Sequence, residues 1–300
     1  MKILVPTDFS DHSFYALKVA ASISKKVKSE INLVHITNII PAIQEISMQD
    51  IKKANEKIET YAREEINRII SFDRFKNTTI SPYVLSNIKV WELLNDDRFK
   101  DTDLIVIGSH GKGGVNKFLI GSNAEKVIRM ASCPVLTIKN DMESFHLKRM
   151  VFASDFFTES FKVFDQIKIF AELYDAHIDL LKIITPKNFE PTPESLRLMN
   201  NFVKKFGLDK TAIHIYNAHS IEKGITDFCD EVRADMIALE THGRTGLSHI
   251  INGSLAENVA LHEDRPVLSV KIIEYPENIS GLKRYIIYQE KLEAESNPIS

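Results

Sequence analysis

Two stretches of this chain carry the side chains and backbone freedom needed to hold an anion. The first is Pro6-Thr7-Asp8, at the end of the short apolar run Lys-Ile-Leu-Val. The second follows the apolar run ending at Ile107. It reads Gly108-Ser109-His110-Gly111, then nine residues, then Gly121-Ser122. A glycine at 108 lets a ligand reach the backbone without meeting a Cβ, and Gly111 permits the turn that follows. Gly121-Ser122 opens a helical run, so its amides and hydroxyl face an N-terminus that favours negative charge. Lys112 and Lys117 lie within the loop and can offset phosphate charge. These features describe a phosphate cradle. It is not the dinucleotide fingerprint, since the first strand has no glycine loop, and it is not a P-loop, since no Gly-Lys-Ser/Thr closes it.

Such a cradle needs a scaffold that brings two strand ends together, and the sequence contains that scaffold twice. DLIVIGSHG at 103–111 matches DMIALETHG at 235–243, LIGS at 119–122 matches INGS at 251–254, and PVLTI at 134–138 matches PVLSV at 266–270. The offset is constant, since 243 − 111 and 266 − 134 both give 132. Near the start of each copy, ILVPTDFS at 3–10 matches MVFASDFF at 150–157, and LVHI at 33–36 matches LLKI at 180–183, with an offset of 147. The second copy is therefore shorter by 15 residues (147 − 132) between its second strand and its glycine loop. The chain reads as unit one at 1–140, a bridge at 141–149, unit two at 148–272 with the bridge overlapping its start, and a C-terminal extension, 273–300, without counterpart.

Within unit one, short apolar strands alternate with amphipathic segments. Strands fall at KILVP, INLVHI, TTISPYVLS, DLIVIG and PVLTIK, and helices at 10–26, 44–72, 88–98 and 122–131. Ser10 is placed to cap the first helix, with Asp11 in its first turn. Pro82 puts the third strand at an edge or a bend. Buried strands alternating with helices define a parallel α/β sheet covered on both faces. Sheets of this class bind ligands beyond the carboxyl ends of their strands, where the strand order reverses.

Composition narrows the function. The 300 residues are 44% hydrophobic and 26% charged, a globular mix, and the formal net charge of −3 gives no bulk attraction to nucleic acid or anionic membranes. The N-terminus lacks the continuous apolar core of a signal peptide, and no run is long enough to span a bilayer, so a cytoplasmic protein is expected. Cys133 and Cys229 cannot form a disulfide framework and read as buried thiols. The Lys/Glu run at 52–68 reads as a solvated helix face, and Trp91 as core. His110 and His242 occupy equivalent loop positions but lack further ligands at metal-binding spacing, and no catalytic set stands out. Asp8 has a second reading as a helix-proximal cap, since its counterpart Asp155 is kept in unit two.

The spacing Gly108-x2-Gly111-x9-Gly121-Ser122, with an apolar strand before it and a helix and Cys133-Pro134-Val135-Leu136 after it, resembles the nucleotide-binding signature of the universal stress protein family. Pro6-Thr7-Asp8-Phe9-Ser10 is similar to that family's nucleoside-contacting segment. The resemblance covers nearly the whole chain and implies a tandem form: two doubly wound five-stranded parallel sheets of order 3-2-1-4-5, with helices on both faces. It implies that Asp8 contacts the nucleoside beside Pro6 and Thr7, and that Ile36 lies against adenine. It further implies that Gly108, Ser109, His110 and Gly111 line ribose and phosphates, and that Gly121, Ser122 and Asn123 hold the phosphate tail. ATP with an accompanying Mg²⁺ is the implied ligand, in a non-catalytic stress-response module that signals to a protein partner. Slow ATP hydrolysis or phosphotransfer, or another ligand altogether, are the alternatives.

Two expectations concern the pair of units. The last strand of each is an apolar edge that tends to pair, and the resemblance implies pairing across a two-fold, giving an internal pseudo-dimer. Unit two should be altered for ATP, because Glu240 replaces Gly108 while Gly243, Gly253 and Ser254 are kept. A carboxylate facing phosphate at about 4 Å is repelled by roughly 4 kcal/mol at an effective dielectric of 20, unless it turns away to Arg233 or Arg244 or coordinates the accompanying ion. On that argument Glu240→Gly should raise the affinity of unit two.

Overall fold

The structure is a computed structural model that describes residues 1–38, 47–109, 122–157, 160–242 and 253–272. Unit one runs β1 (Lys2–Thr7), α1 (Asp11–Lys26), β2 (Glu30–Thr37), α2 (Met48–Ile70), β3 (Thr79–Ser86), a 3-10 helix at Val90–Asn95, β4 (Leu104–Gly108), α3 (Ser122–Met130) and β5 (Val135–Ile138). Unit two repeats it as β6 (Arg149–Ala153), α4 (Ser160–Tyr174), β7 (His177–Ile184), α5 (Thr192–Phe206), β8 (Thr211–Asn217), α6 (Ile221–Val232), β9 (Met236–His242), α7 (Gly253–His262) and β10 (Val267–Ile272). Much of the length difference between the copies is one helix: α2 has 23 residues and α5 has 15. The expected helix at 88–98 is the short 3-10 helix. The extension 273–300 and the start of the expected 44–72 helix lie outside the described residues.

Local chemistry accounts for the element boundaries. Ser10 caps α1, its Oγ accepting the Ser13 amide, with Asp11 in the first turn and Lys25 and Lys26 in the last to complement the dipole. α5 ends at Gly207 in the left-handed conformation, φ 56°, the αL closure that glycine tolerates best. Pro82 sits in β3, the outer strand of the sheet, where a missing amide donor is tolerated. The charged run of α2 faces solvent, burying Ile51, Ala62, Ile66 and Ile69 on its other side. No helix among the described residues is long and apolar enough to cross a membrane.

Each unit has the order 3-2-1-4-5, and the two blocks join into one ten-stranded sheet, β3-β2-β1-β4-β5-β10-β9-β6-β7-β8. All neighbours within a unit are parallel. β5 and β10 pair antiparallel, with Leu136 opposite Leu268. Alternation along the strands feeds both faces: Ile3 and Val5 enter a core shared with Phe152, Phe164 and Leu268, while Leu4 enters one shared with Val151, Leu181 and Val267. Both cores draw on both units. The junction also carries polar contacts. Thr137 Oγ1 donates to Ala260 O at 3.1 Å, Lys139 pairs with Asp264 at 2.8 Å, and Arg129 of α3 binds Glu257 of α7 at 2.6 Å while also holding Glu125 at 2.7 Å.

Candidate functional site

β1 and β4 lie side by side, Leu4 opposite Ile105, so Thr7 and Gly108 end at one edge of the sheet, where the strand order reverses. The turn leaving β1 is a built feature. Phe9 has φ 61°, a left-handed conformation that costs a bulky residue about 1–3 kcal/mol. Two hydrogen bonds hold it: the Phe9 amide donates to Thr7 Oγ1 at 3.1 Å, and the Ser10 amide to Asp8 Oδ1 at 3.0 Å. Thr7 Oγ1 also shares a hydrogen bond with Ser13 Oγ in α1, at 3.0 Å. The Phe9 ring stacks on His35 at 4.0 Å, and His35 Nδ1 donates to the Thr7 carbonyl at 2.8 Å. Pro6 is buried in β1 opposite Val34, and Ile36 is half-buried on the face that carries Leu4 and Val34.

Unit two builds the same turn. Phe156 has φ 61°, its amide donates to Ser154 Oγ at 2.9 Å, and the Phe157 amide donates to Asp155 Oδ1 at 3.0 Å. The aspartate of each copy therefore organises its own turn, the capping role that the repeat itself suggested for Asp8.

Gly108 has a packing cause that sequence reasoning missed. A Cβ built there would stand 2.7 Å from the backbone carbon of His12 and 2.8 Å from its oxygen. Glycine is what lets α1 close onto β4. Ser109 is fully buried, its amide donating to Ile138 O at 3.0 Å, so it continues the sheet edge. Ser122 is the first residue of α3, with exposed Asn123 after it. His110, Gly111 and Gly121, with Lys112 and Lys117, lie outside the described residues.

Glu240, the counterpart of Gly108, is fully buried and turned toward α4. Its Oε1 accepts the hydroxyls of Ser154 at 2.9 Å and of Ser160, the first residue of α4, at 2.8 Å. The carboxylate thus sits at a helix N-terminus, where negative charge is favoured. Hydroxyls of the repeated turn hold it, a partner set that the sequence argument, which looked to Arg233, Arg244 or an ion, did not consider. Nearby, Lys182 takes the place of His35. It is 2% exposed and donates to Asp155 O at 3.1 Å and to Glu190 Oε1 at 2.8 Å. Burial pushes the Glu190 carboxyl up, but hydrogen bonds from Lys182 and Ser195 outweigh that and leave it below the ordinary range. The pocket between β6, β7 and α6, lined by Lys182 and Asn188 among others, holds about 10 Å³, near the least that holds one water.

Trp91 departs from the expected core role. It is half-buried and carries the ammonium of Lys126, 3.9 Å from the ring centroid, and that of Lys89 at 5.5 Å. Of the two thiols expected to be buried, Cys229 is and Cys133 is half-buried, and loss of solvent pushes both up to about 12.

The architecture defines a class: a doubly wound α/β protein in which two copies of one unit share a sheet and each places a strand-end turn at a switch point. The profile of the universal stress protein family matches residues 1–139 and again 146–271, and the chain belongs to that family. It is 30% identical over 138 residues to a universal stress protein of Methanocaldococcus jannaschii, covering 46% of this chain and 81% of that one. It is 20% identical over 290 residues to a universal stress protein of Synechocystis, covering 90% of this chain and 99% of that one. A crystal structure of a universal stress protein from Archaeoglobus fulgidus superposes with a TM-score of 0.70 at 22% identity, covering 91% of this chain and 97% of that one, a likeness of fold.

Proposed function

We propose that the chain is an ATP-binding stress-response module of the cytoplasm, with one nucleotide site per chain, in unit one. The observation that carries this reading is the placement of Thr7-Asp8 beside Gly108 at the switch point, with Ser122 opening α3. That is the frame in which the family's nucleotide signature was recognised. In this reading Pro6, Thr7 and Asp8 border the nucleoside, Ile36 lies against the base, Gly108 through Gly111 line ribose and phosphate, and Gly121, Ser122 and Asn123 take the phosphate tail. Mg²⁺ accompanies the phosphates. Unit two serves as the paired half of an internal pseudo-dimer, its corresponding pocket, lined by Lys182 and Asn188 among others, holding only about 10 Å³.

The role in this reading is that of a sensor whose occupancy is read by a partner protein. Native mass spectrometry of the freshly purified chain tests the reading: a mass increment of one ATP supports it, and an unrelated ligand mass contradicts it. Single-turnover phosphate release with and without Mg²⁺ separates the sensor from a slow hydrolase or phosphotransferase.

A further inference from the structure

The groove between α3 and the 3-10 helix of unit one differs sharply from its counterpart in unit two. β3 ends at Ser86 and β8 at Asn217, each followed four residues later by a helix, so Lys89 and Trp91 correspond to Ser220 and Glu222. On α3 and α7, Lys126 corresponds to Asn258 at the offset of 132. In unit two this groove is a cavity of about 630 Å³ lined by Glu222, Asp230, Asn258 and Glu263 among others. In unit one half-buried Trp91 stands at the position of Glu222, and two ammonium groups converge on the one indole. Among the described residues neither ammonium forms an ion pair. Two like charges gathered on a neutral ring are left able to serve an anion.

Helix geometry says where that anion would be. Lys126 lies one turn beyond Ser122, a rise of about 6 Å. Side chains of a helix lean toward its N-terminus, so Lys126 leans back along α3 toward Ser122, where the helix begins. From this we propose that Lys126, with Lys89, is a specificity residue of the unit-one site. Its ammonium rests on Trp91 in this structure and transfers to the outer phosphates of a nucleoside di- or triphosphate bound at the start of α3. The inference rests on the reading of unit one as the nucleotide site. It goes beyond that reading in assigning the choice of phosphate number to two side chains outside the glycine loop. Lysine attraction scales with phosphate charge, so the pair favours ATP over AMP. Unit two carries Asn258, Ser220 and Glu222 at the corresponding positions and lacks both lysines.

Trp91 is the only tryptophan in the chain, which makes the transfer visible. The full-length protein is titrated with MgATP and with AMP, followed by Trp91 emission and by calorimetry, for the unmutated chain, Lys126→Met, Lys126→Arg and Lys89→Met. ATP should change Trp91 emission more than AMP does. Lys126→Met should weaken ATP about ten- to thirtyfold, the loss of one charge-assisted hydrogen bond, while AMP changes less than about threefold. Lys89→Met should act in the same direction and less. Lys126→Arg, which keeps the charge, should retain most of the ATP affinity. Equal weakening of ATP and AMP by Lys126→Met would show a structural role and overturn the inference, as would unchanged ATP affinity. Should calorimetry find that the unmutated chain binds neither nucleotide, the unit-one site itself is refuted and this inference with it. Unaltered thermal unfolding of each variant establishes that the lost affinity is local.

Discussion

Gly108→Ala isolates the role of backbone closeness from the role of any ligand. Gly108 is not among the residues with positive φ, so alanine can adopt its backbone. The new methyl would nevertheless lie 2.7 Å from His12 C, where ordinary contact begins at 3.4 Å, so α1 must retreat by about 0.7 Å. The contacting atoms are main chain, which no side-chain rotation can relieve. α1 buries Leu17, Val19, Ala20 and Ile23 at 1% exposure or less, so its retreat loosens a dense interface. Overpacking of this kind costs about 1–3 kcal/mol, and the reduced freedom of the unfolded chain returns about 0.4–1 kcal/mol. A net loss of about 1–2 kcal/mol is expected, read from the urea midpoint with the slope unchanged. Gly224→Ala is the control: its methyl meets the side chains of Ala218 and Ile183 at 2.8–3.0 Å, atoms of which Ile183 can move, and it gains helix propensity in α6. Should Gly108→Ala unfold within about 0.3 kcal/mol of the unmutated chain, contact with α1 is not what requires glycine at 108. A Gly108→Val variant that loses ATP would be ambiguous, because valine also displaces the helix that carries the Asp8 turn.

Two further outcomes follow from buried charge. Glu240→Gly removes the acceptor of two charge-assisted hydrogen bonds and should cost about 2–4 kcal/mol in urea unfolding; because the carboxylate turns onto Ser154 and Ser160, calorimetry should find no second strong ATP site, in place of the gain expected from sequence. Burial pushes the Asp179 carboxyl up, but hydrogen bonds from Arg149 and His214 outweigh it and hold the group below the ordinary range. A depressed carboxyl contributes stability above its unfolded pKa, about 4, and loses it as pH falls through the lower folded value. Asp179→Asn should therefore cost stability at pH 7, with the gap to the unmutated chain narrowing below about pH 4; a gap constant with pH would contradict the assignment.

The duplication and the edge position of β3 were legible because they rest on offset and on the chemistry of Pro82, whereas the strand order came from the family resemblance. Apolar strand runs repeat with their spacing intact, and buried parallel strands tolerate little else. The join between β5 and β10 was foreseeable as an unsatisfied edge, whereas its effect, one continuous sheet with shared cores, depends on which strands meet in space. The reason for Gly108 was half legible. Sequence shows a glycine at a strand end; only the structure shows that the neighbour it admits is the main chain of His12. Glu240 was legible as an intruder and not as a cap, because Ser154 and Ser160 lie some 80 residues away in the chain. Trp91 was misread because a lone tryptophan gives no sign of which side chains converge on it.

The central claim is one nucleotide site per chain, located in unit one. Titration of the full-length protein with a photoreactive azido-ATP and Mg²⁺, followed by peptide mapping of the labelled chain, tests stoichiometry and place together. The account predicts saturation at one label per chain, competed by ATP, on peptides from residues 1–139. Saturation at two labels, or label confined to residues 146–271, would contradict it.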